Sequence, residues 1–351
     1  MKTSTISSLS ITNAIQLVAT TAQKEIVKLQ NESVTGTYYD IGLQLGAKTS
    51  QSLNFSRESE RLQAITKSNA LAEQRMDTTQ LTMKNMAASA QSVLNTFTGV
   101  TGASDGTSTA VAADKALAEL ENFAGMAVTS VNGEYIFSGI NTDAPTLQST
   151  FVSDVTTDFQ TKLNTFLQAN GLTDDGTTTG VPDITKMTGA DVDDFVASYK
   201  AGFNWSSWTD ASSTVMSSRI STTETVKTST SLNGDGFQDL VISTLIGSQL
   251  AKEGLQTDAL ARVKFHVVET AGAAVSGINA ERSQLGLVQA RVETANETLS
   301  AQKTIIDTQY KNLVSVDQYE AKTRLATLMT QLETSYTITA KIQQLSLVNF
   351  L

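Results

Sequence analysis

Apolar side chains recur at alternating steps of three and four residues along residues 62–97. The positions that keep this spacing are Leu62, Ile65, Asn69, Ala72, Met76, Thr79, Met83, Met86, Ala90, Val93 and Phe97. This spacing is the heptad seam of a coiled coil. No proline or glycine lies between Ala47 and Thr98. The pattern therefore predicts one helix over about residues 50–98, roughly 70 Å long, which needs a partner helix along its length.

A second seam of the same kind lies towards the other end of the chain. Its positions are Leu260, Val263, Val267, Ala271, Ala274, Ile278, Glu281, Leu285, Val288, Val292, Ala295, Leu299, Gln302, Ile306, Gln309 and Leu313. Glu281, Gln302 and Gln309 interrupt the apolar side chains, so we expect local changes of packing there. Two matching seams, far apart in sequence, predict long antiparallel coiled-coil rods.

The two ends of the chain carry shorter apolar stripes at helical spacing. The first predicts a helix over about residues 10–32, which is too short to be stable alone. Asp317, with Glu320 three residues later, has the pattern of a capping box and predicts the start of a last helix. Apolar side chains at a chain end are an aggregation liability on a monomer, so we expect other subunits to bury them. The residues predicted to form this assembly interface are Ile11, Ile15, Val18, Ala22, Leu29, Leu325, Leu328, Leu332, Tyr336, Ile342, Leu345 and Leu351.

The middle third of the chain has a different character. Asn132-Gly133 is a strong signal for a tight hairpin, and it leads into the apolar run Tyr135-Ile136-Phe137. The elements predicted beyond it are helices at 151–167 and 190–199 and strand-like pieces at 203–208 and 220–231. Loops rich in Gly, Thr and Asp separate them. These patterns predict an inserted domain of mixed structure, and a short amphipathic helix at 237–250 follows it.

The predicted fold is mainly α. Long antiparallel coiled-coil rods come from the N- and C-terminal regions, with a small β-hairpin element and an inserted mixed α/β or β-rich domain. The expected domains are a terminal helical assembly module (1–45 plus 316–351), a rod domain with the hairpin (46–143 plus 237–315), and a variable outer domain (144–236).

Composition narrows the possible partners. The 351 residues carry a formal net charge of −10, and only 17% of them are charged. Because an acidic chain is repelled by phosphate backbones and anionic lipid, nucleic-acid binding and membrane insertion are disfavoured. The chain has no cysteine, which suits an oxidising or variable environment. The N-terminus has no apolar signal-peptide core, so we expect any export to use a route without cleavage of a signal peptide.

No set of residues in the sequence predicts catalysis or a cofactor. His266 is the single histidine, and a lone helical histidine is more often a packing or surface residue than a ligand. The run from Asn233 to Asp239 offers oxygen ligands but lacks the spacing of a calcium loop, so a glycine-rich turn is the better interpretation. We therefore expect no enzyme activity, no cofactor and no metal.

Three segments resemble the flagellin superfamily, and within it most closely the hook-associated protein 3 family of the hook–filament junction. They are the N-terminal stretch from Ile11 into the long helix, the motif Asn132-Gly-Glu-Tyr-Ile-Phe-Ser-Gly139 with Asn141-Thr-Asp143, and the C-terminal stretch from Glu320 to Leu351. The resemblance covers roughly residues 11–143 and 237–351, and it leaves the middle unmatched.

The resemblance implies a structural adaptor at the hook–filament junction of the extracellular bacterial flagellum. Its partners would be copies of itself in a ring, a hook-side hook-associated protein, flagellin, and an export chaperone that covers the C-terminal helix. Export would use the flagellar type III apparatus. Two alternatives stay open at this point: a flagellin that forms filaments, and a monomeric coiled-coil scaffold protein. An enzyme in the insert would need a site within residues 146–235, where the sequence offers none.

Overall fold

The computed structural model describes residues 8–100, 106–251 and 254–348. Contacts between residues divide the chain into two compact units. Unit 1 is Met1–Ala64 with Leu299–Leu351, and unit 2 is Ile65–Thr298. The helices in chain order are α1 (Ser8–Thr35), α2 (Ile41–Leu45), α3 (Thr49–Gly99), α4 (Gly106–Ala127), α5 (Phe151–Ala169), α6 (Gly189–Gly202), α7 (Asp235–Leu250), α8 (Thr257–Val314) and α9 (Gln318–Val348). The strands are β1 (Ser130–Val131), β2 (Glu134–Tyr135), β3 (Ser217–Arg219) and β4 (Thr225–Lys227).

The two rods predicted from the heptads are the long helices α3 and α8. In unit 2 they run antiparallel, because residues later in α3 contact residues earlier in α8. The Asn69 side chain donates a hydrogen bond to Asn296 Oδ1 at 2.7 Å, and Gln289 Nε2 donates to Asp77 Oδ1 at 2.8 Å. The prediction of long antiparallel rods is therefore confirmed.

The heptad seams explain which faces of the rods are buried. All α3 seam positions from Leu62 to Phe97 are buried except Ile65, which is half-buried. On α8 the buried seam extends to Leu299, whereas Gln302 and Gln309 are exposed. The glutamines that interrupt the sequence pattern thus mark the end of the buried seam.

The centre of unit 2 is α7, and here one sequence prediction is wrong. We expected an amphipathic helix, but nearly every side chain from Gly236 to Leu250 is buried, because α7 packs against α4 and α5 as well as the rods. Glycines allow this close packing: a Cβ added to Gly277 would lie only 2.7 Å from the Cα of Gly236. The Phe237 ring meets the edge of Phe137 at a centroid distance of 5.9 Å.

The predicted hairpin forms at the expected residues. β1 pairs antiparallel with β2, with Ser130 opposite Tyr135, and the turn residue Asn132 has a φ of 54°. The residues after the hairpin hold the end of the insert, since the Phe137 carbonyl accepts a hydrogen bond from the backbone N–H of Leu232 at 2.8 Å. Phe137 is fully buried, so this motif packs the core.

Residues 144–236 contain α5, α6 and the ribbon of β3 and β4. The two helices are confirmed as predicted. The strand predicted at 203–208 is wrong: residues Trp205–Ser207 form a 3-10 turn, because the Trp205 ring is buried against Phe151 at a centroid distance of 6.2 Å. The strand predicted at 220–231 is reduced to β4, which pairs with β3. By contacts these residues fall within unit 2, and a separate outer domain stays a prediction.

Candidate functional site: the paired terminal helices

The first half of the candidate site is the junction at which α1 ends and α9 begins. Gly36 ends α1 with a φ of 70°, a conformation that favours glycine. Its carbonyl accepts the backbone N–H of Val316 at 2.9 Å, and the Val314 carbonyl accepts the N–H of Tyr38 at 3.0 Å. Asp317 Oδ1 then caps α9 by accepting the N–H groups of Tyr319 and Glu320 at 2.8 and 3.2 Å. These bonds hold the end of α1 next to the start of α9 in unit 1.

From this junction α1 and α9 pack against each other as an antiparallel pair. Leu29 and Ala321, close to the junction, are buried. Further along, Gln23 Nε2 donates a hydrogen bond to the hydroxyl of Tyr336 at 2.9 Å. The terminal helices are therefore partners of each other within one chain.

The structure brings together those predicted interface residues whose side chains it describes. Leu29 is buried, Ile15, Ala22, Leu325, Leu328 and Leu332 are half-buried, and Val18 and Tyr336 are exposed. Ile11, Ile342 and Leu345 lie on α1 and α9, but their side chains are outside the described set, and Leu351 lies outside the described residues altogether. The prediction that other subunits bury these residues stays a prediction.

Two apolar grooves flank the contact between the helices. One is lined by Leu17, Val18 and Ala22 of α1 with Leu328 and Leu332 of α9. The other is lined by Ile26 and Val27 with Met329, Leu332 and Tyr336. Exposed apolar surface of this kind is typical of contact sites between proteins.

Sequence reasoning missed several residues of these grooves. Leu17 is 71% exposed, Val27 is 56% exposed and Met329 is 56% exposed. They lie beside the stripe that the helical spacing indicates, so the periodicity gave no signal for them. Only the packing of α9 against α1 shows that these side chains border open grooves.

A polar cleft of about 360 Å³ lies at the junction end of the pair. Its charged lining residues are Glu25, Lys28, Glu32, Asp317, Glu320 and Arg324. Lys28 pairs with Glu25 at 3.2 Å, and Arg324 pairs with Glu320 at 2.7 Å. The cleft therefore holds four carboxylates against two cations.

Charge is distributed unevenly between the two units. Unit 1 contains 11 lysines and arginines and 9 aspartates and glutamates, a net charge of +2. Unit 2 contains 14 and 26 of these residues, a net charge of −12. Nearly neutral surfaces can pack against copies of themselves without strong repulsion. The grooves lie in the unit whose charge permits such packing.

Outside the terminal pair, the titratable groups of unit 2 form structural contacts. Asp193 of α6 accepts hydrogen bonds from Arg262 Nε at 2.6 Å and from His266 Nε2 at 2.7 Å, both on α8. Burial raises the pKa of Asp193, but these hydrogen bonds outweigh that effect and hold the pKa below its usual value. His266 thus helps to fasten α6 to α8. Over residues 8–100, 106–251 and 254–348, no group of three or more His, Asp or Glu side chains could hold a metal ion.

Comparisons with known proteins agree with this architecture. The model of the bacterial flagellin N-terminal helical region matches residues 6–142, and that of the bacterial flagellin C-terminal helical region matches residues 268–351. Among solved structures, the chain resembles a protein provisionally assigned as a flagellar hook-associated protein from Vibrio parahaemolyticus. The TM-score is 0.51 at 10% identity, over 76% of this chain and 97% of that chain. No curated protein matches the sequence.

The fold is mainly helical, and its terminal helices are paired within unit 1. The two family models together cover more than half of the sequence, and the chain belongs to the flagellin superfamily, the structural proteins of the bacterial flagellum. At 10% identity, the likeness to the hook-associated protein shows the fold alone. Within the part of the chain that is described, no helix is both long and apolar enough to cross a membrane.

Proposed function

We propose that this chain is a structural adaptor at the hook–filament junction of the flagellum and that it assembles through α1 and α9. Family membership supports a structural role in an extracellular flagellum. The hook-associated relative, with which the chain shares its fold, favours the junction over the filament.

The observation that carries the proposal is the incomplete burial of the terminal pair. α1 and α9 cover one stripe of each other, yet Leu17, Val18 and Val27 on α1 stay more than half exposed. Each large apolar side chain that moves from water to a protein interface contributes about 1.5–3 kcal/mol. Neighbouring subunits that fill the two grooves would supply this stabilisation, because ordering these helices is favourable only when apolar surface is buried.

The proposed partners follow from the same placement. Copies of the chain would form a ring through their terminal pairs, with a hook-side hook-associated protein on one face and flagellin on the other. Before assembly, an export chaperone would cover the apolar face of α9, and the chain would leave the cell unfolded without cleavage of a signal peptide. In this arrangement 1–45 with 316–351 acts as the assembly module, and 144–236 as the outer domain.

A flagellin that forms filaments is the second candidate. The two matched family models describe flagellin itself, so they support a filament-forming flagellin as well as an adaptor. The motif Tyr135–Gly139 after the hairpin resembles the junction protein more than flagellin. In this chain its Ile136 and Phe137 are packed in the core.

Electron microscopy of the purified full-length chain separates these functions. The chain is incubated at high concentration with sheared filament seeds and, separately, with isolated hooks that carry the upstream junction protein. We expect short caps on hooks and no growth from seeds. Long filaments on seeds would identify a flagellin, and binding to neither would contradict both and favour a monomeric scaffold.

A further inference from the structure

The polar cleft of unit 1 contains a buried carboxylate that has no cation. Glu32, near the end of α1, is only 5% exposed and lines the cleft. Its Oε1 accepts the backbone N–H of Tyr39 at 3.0 Å. Among the described residues, no lysine or arginine nitrogen lies within ion-pair distance of Glu32. Burying an ionised carboxylate is costly unless a cation pairs with it.

The other charged groups of the cleft are already engaged. Lys28 forms an ion pair with Glu25, and Arg324 forms one with Glu320. Asp317 accepts the first N–H groups of α9. Of the two cleft carboxylates without a cation, Asp317 is exposed and only Glu32 is buried, so Glu32 is the one that gains most from a cation supplied from outside the chain.

The last lysine of α9 is too far from the cleft to supply this cation. Lys341 lies 21 residues after Glu320 on α9, about 31 Å away.

Within the part of unit 1 that the structure describes, Lys24, Lys48 and Lys322 have no carboxylate at ion-pair distance, whereas the ion pairs of this unit use Lys28, Arg61, Lys303 and Arg324. The cleft is next to an apolar groove, because Glu25 lines both. A neighbouring copy that fills the groove would therefore lie beside the cleft.

We propose that a lysine of a neighbouring copy enters this cleft and pairs with Glu32, which fixes how successive terminal pairs dock. The inference rests on the proposed function, because the apolar grooves bring the copies together. It adds a charged contact that sets their spacing. A lysine ammonium complements an acidic cleft whose two cations are already paired.

The first test compares Glu32→Gln with Glu320→Gln. Each variant removes one negative charge from the cleft, but glutamine at 32 keeps an oxygen for the Tyr39 N–H, and Glu320 is exposed and already paired. Assembly on isolated hooks is measured at low salt as the half-saturating concentration. We expect at least a tenfold rise for Glu32→Gln and less than a twofold change for Glu320→Gln, with both variants as helical as the parent by circular dichroism. Equal effects in the two variants would overturn the proposal.

The second test identifies the occupant. Rings assembled from equal amounts of ¹⁴N- and ¹⁵N-labelled chains are treated with a carbodiimide, which joins adjacent carboxylates and amines, and are digested for mass spectrometry. We expect crosslinks that join a Glu32 peptide from one chain to a lysine peptide from another chain, so that one peptide carries ¹⁴N and the other ¹⁵N. Crosslinks to the hook-side protein, or only within one chain, would overturn the choice of occupant. Hooks that bind no parent chain would contradict the proposed function itself, whereas normal rings without this crosslink would overturn the inference alone.

Discussion

Helices α7 and α1 have similar apolar side chains but opposite surroundings. On α7, Phe237, Leu245 and Ile246 are completely buried by other helices of unit 2. On α1, Leu17, Val18 and Val27 are more than half exposed although α9 packs alongside. Unit 2 therefore completes its core within one chain, whereas unit 1 leaves part of its apolar surface open. We infer that stability depends mainly on unit 2 and assembly mainly on unit 1.

The largest effect on stability is expected from truncation in the α7 core. Phe237→Ala removes a fully buried ring and its edge contact with Phe137. We expect it to lower the free energy of unfolding by about 3–5 kcal/mol in a denaturant titration. Tyr319→Ala, at a side chain that is 82% exposed in unit 1, should change that free energy by less than about 0.5 kcal/mol. Similar losses in both variants would contradict the division of roles.

Two glycines of α8 provide a test of how closely α7 and α8 pack in unit 2. A Cβ on Gly277 would collide with the backbone of α7, whereas the nearest atom to a Cβ on Gly286 would be Gln80 Nε2 at an ordinary 3.6 Å. Gly277→Ala should therefore cost about 1–3 kcal/mol. Gly286→Ala should stabilise the helix by up to about 1 kcal/mol, because alanine is the better helix former. Thermal melts of the two variants should shift in opposite directions, and equal shifts would disprove the close approach.

A smaller effect is expected from the polar contact between α6 and α8. The pKa of Asp193 is lowered in the folded chain, so its contribution to stability is present above the ordinary aspartate pKa of about 3.9. That contribution is lost as the pH falls through the lower folded-state pKa. The difference in melting temperature between the parent and Asp193→Asn should be present at pH 5 and shrink below about pH 4. A difference that persists unchanged at pH 2 would exclude this ion pair as its source.

The smallest effect on stability is expected where the effect on assembly is greatest. Leu17→Ser on α1 and Leu287→Ser on α8 replace side chains that are 71% and 70% exposed. Each should change the free energy of unfolding by less than about 0.5 kcal/mol. In binding to hooks or seeds, however, Leu17→Ser should be at least tenfold weaker while Leu287→Ser behaves like the parent. Normal assembly of Leu17→Ser would show that the grooves are not part of the interface.

The sequence predicts the regular parts of this fold because periodicity reports burial directly. The seam of α3, the hairpin at Asn132-Gly133 and the cap at Asp317 lie where local patterns indicate them. Local patterns do not report partners. Asn69 looks like an interruption of the seam, but its amide binds Asn296 and the carbonyl of Ile220, which only the folded chain brings together.

The same limit applies to α7 and to the candidate site. The serines and threonines of α7 suggest an exposed face, yet Ser243 and Thr244 bond to carbonyls of their own helix and are buried. The stripe of α1 predicts Leu29 and Ala22 as contacts. It does not predict Leu17 or the buried Glu32, since their roles depend on the packing of α9 and on the Tyr39 turn.

Hydrogen exchange of the full-length chain, alone and bound to hooks or seeds, tests most directly whether neighbouring subunits bury the exposed apolar surface of unit 1. In the isolated chain, the backbone amides of α1 and α9 should exchange much faster than those of α7, because fewer apolar contacts stabilise them. On assembly, α1 and α9 should become protected by at least a hundredfold while α7 changes little. Terminal helices that are as protected as α7 in the isolated chain, or that gain no protection on assembly, would contradict the account.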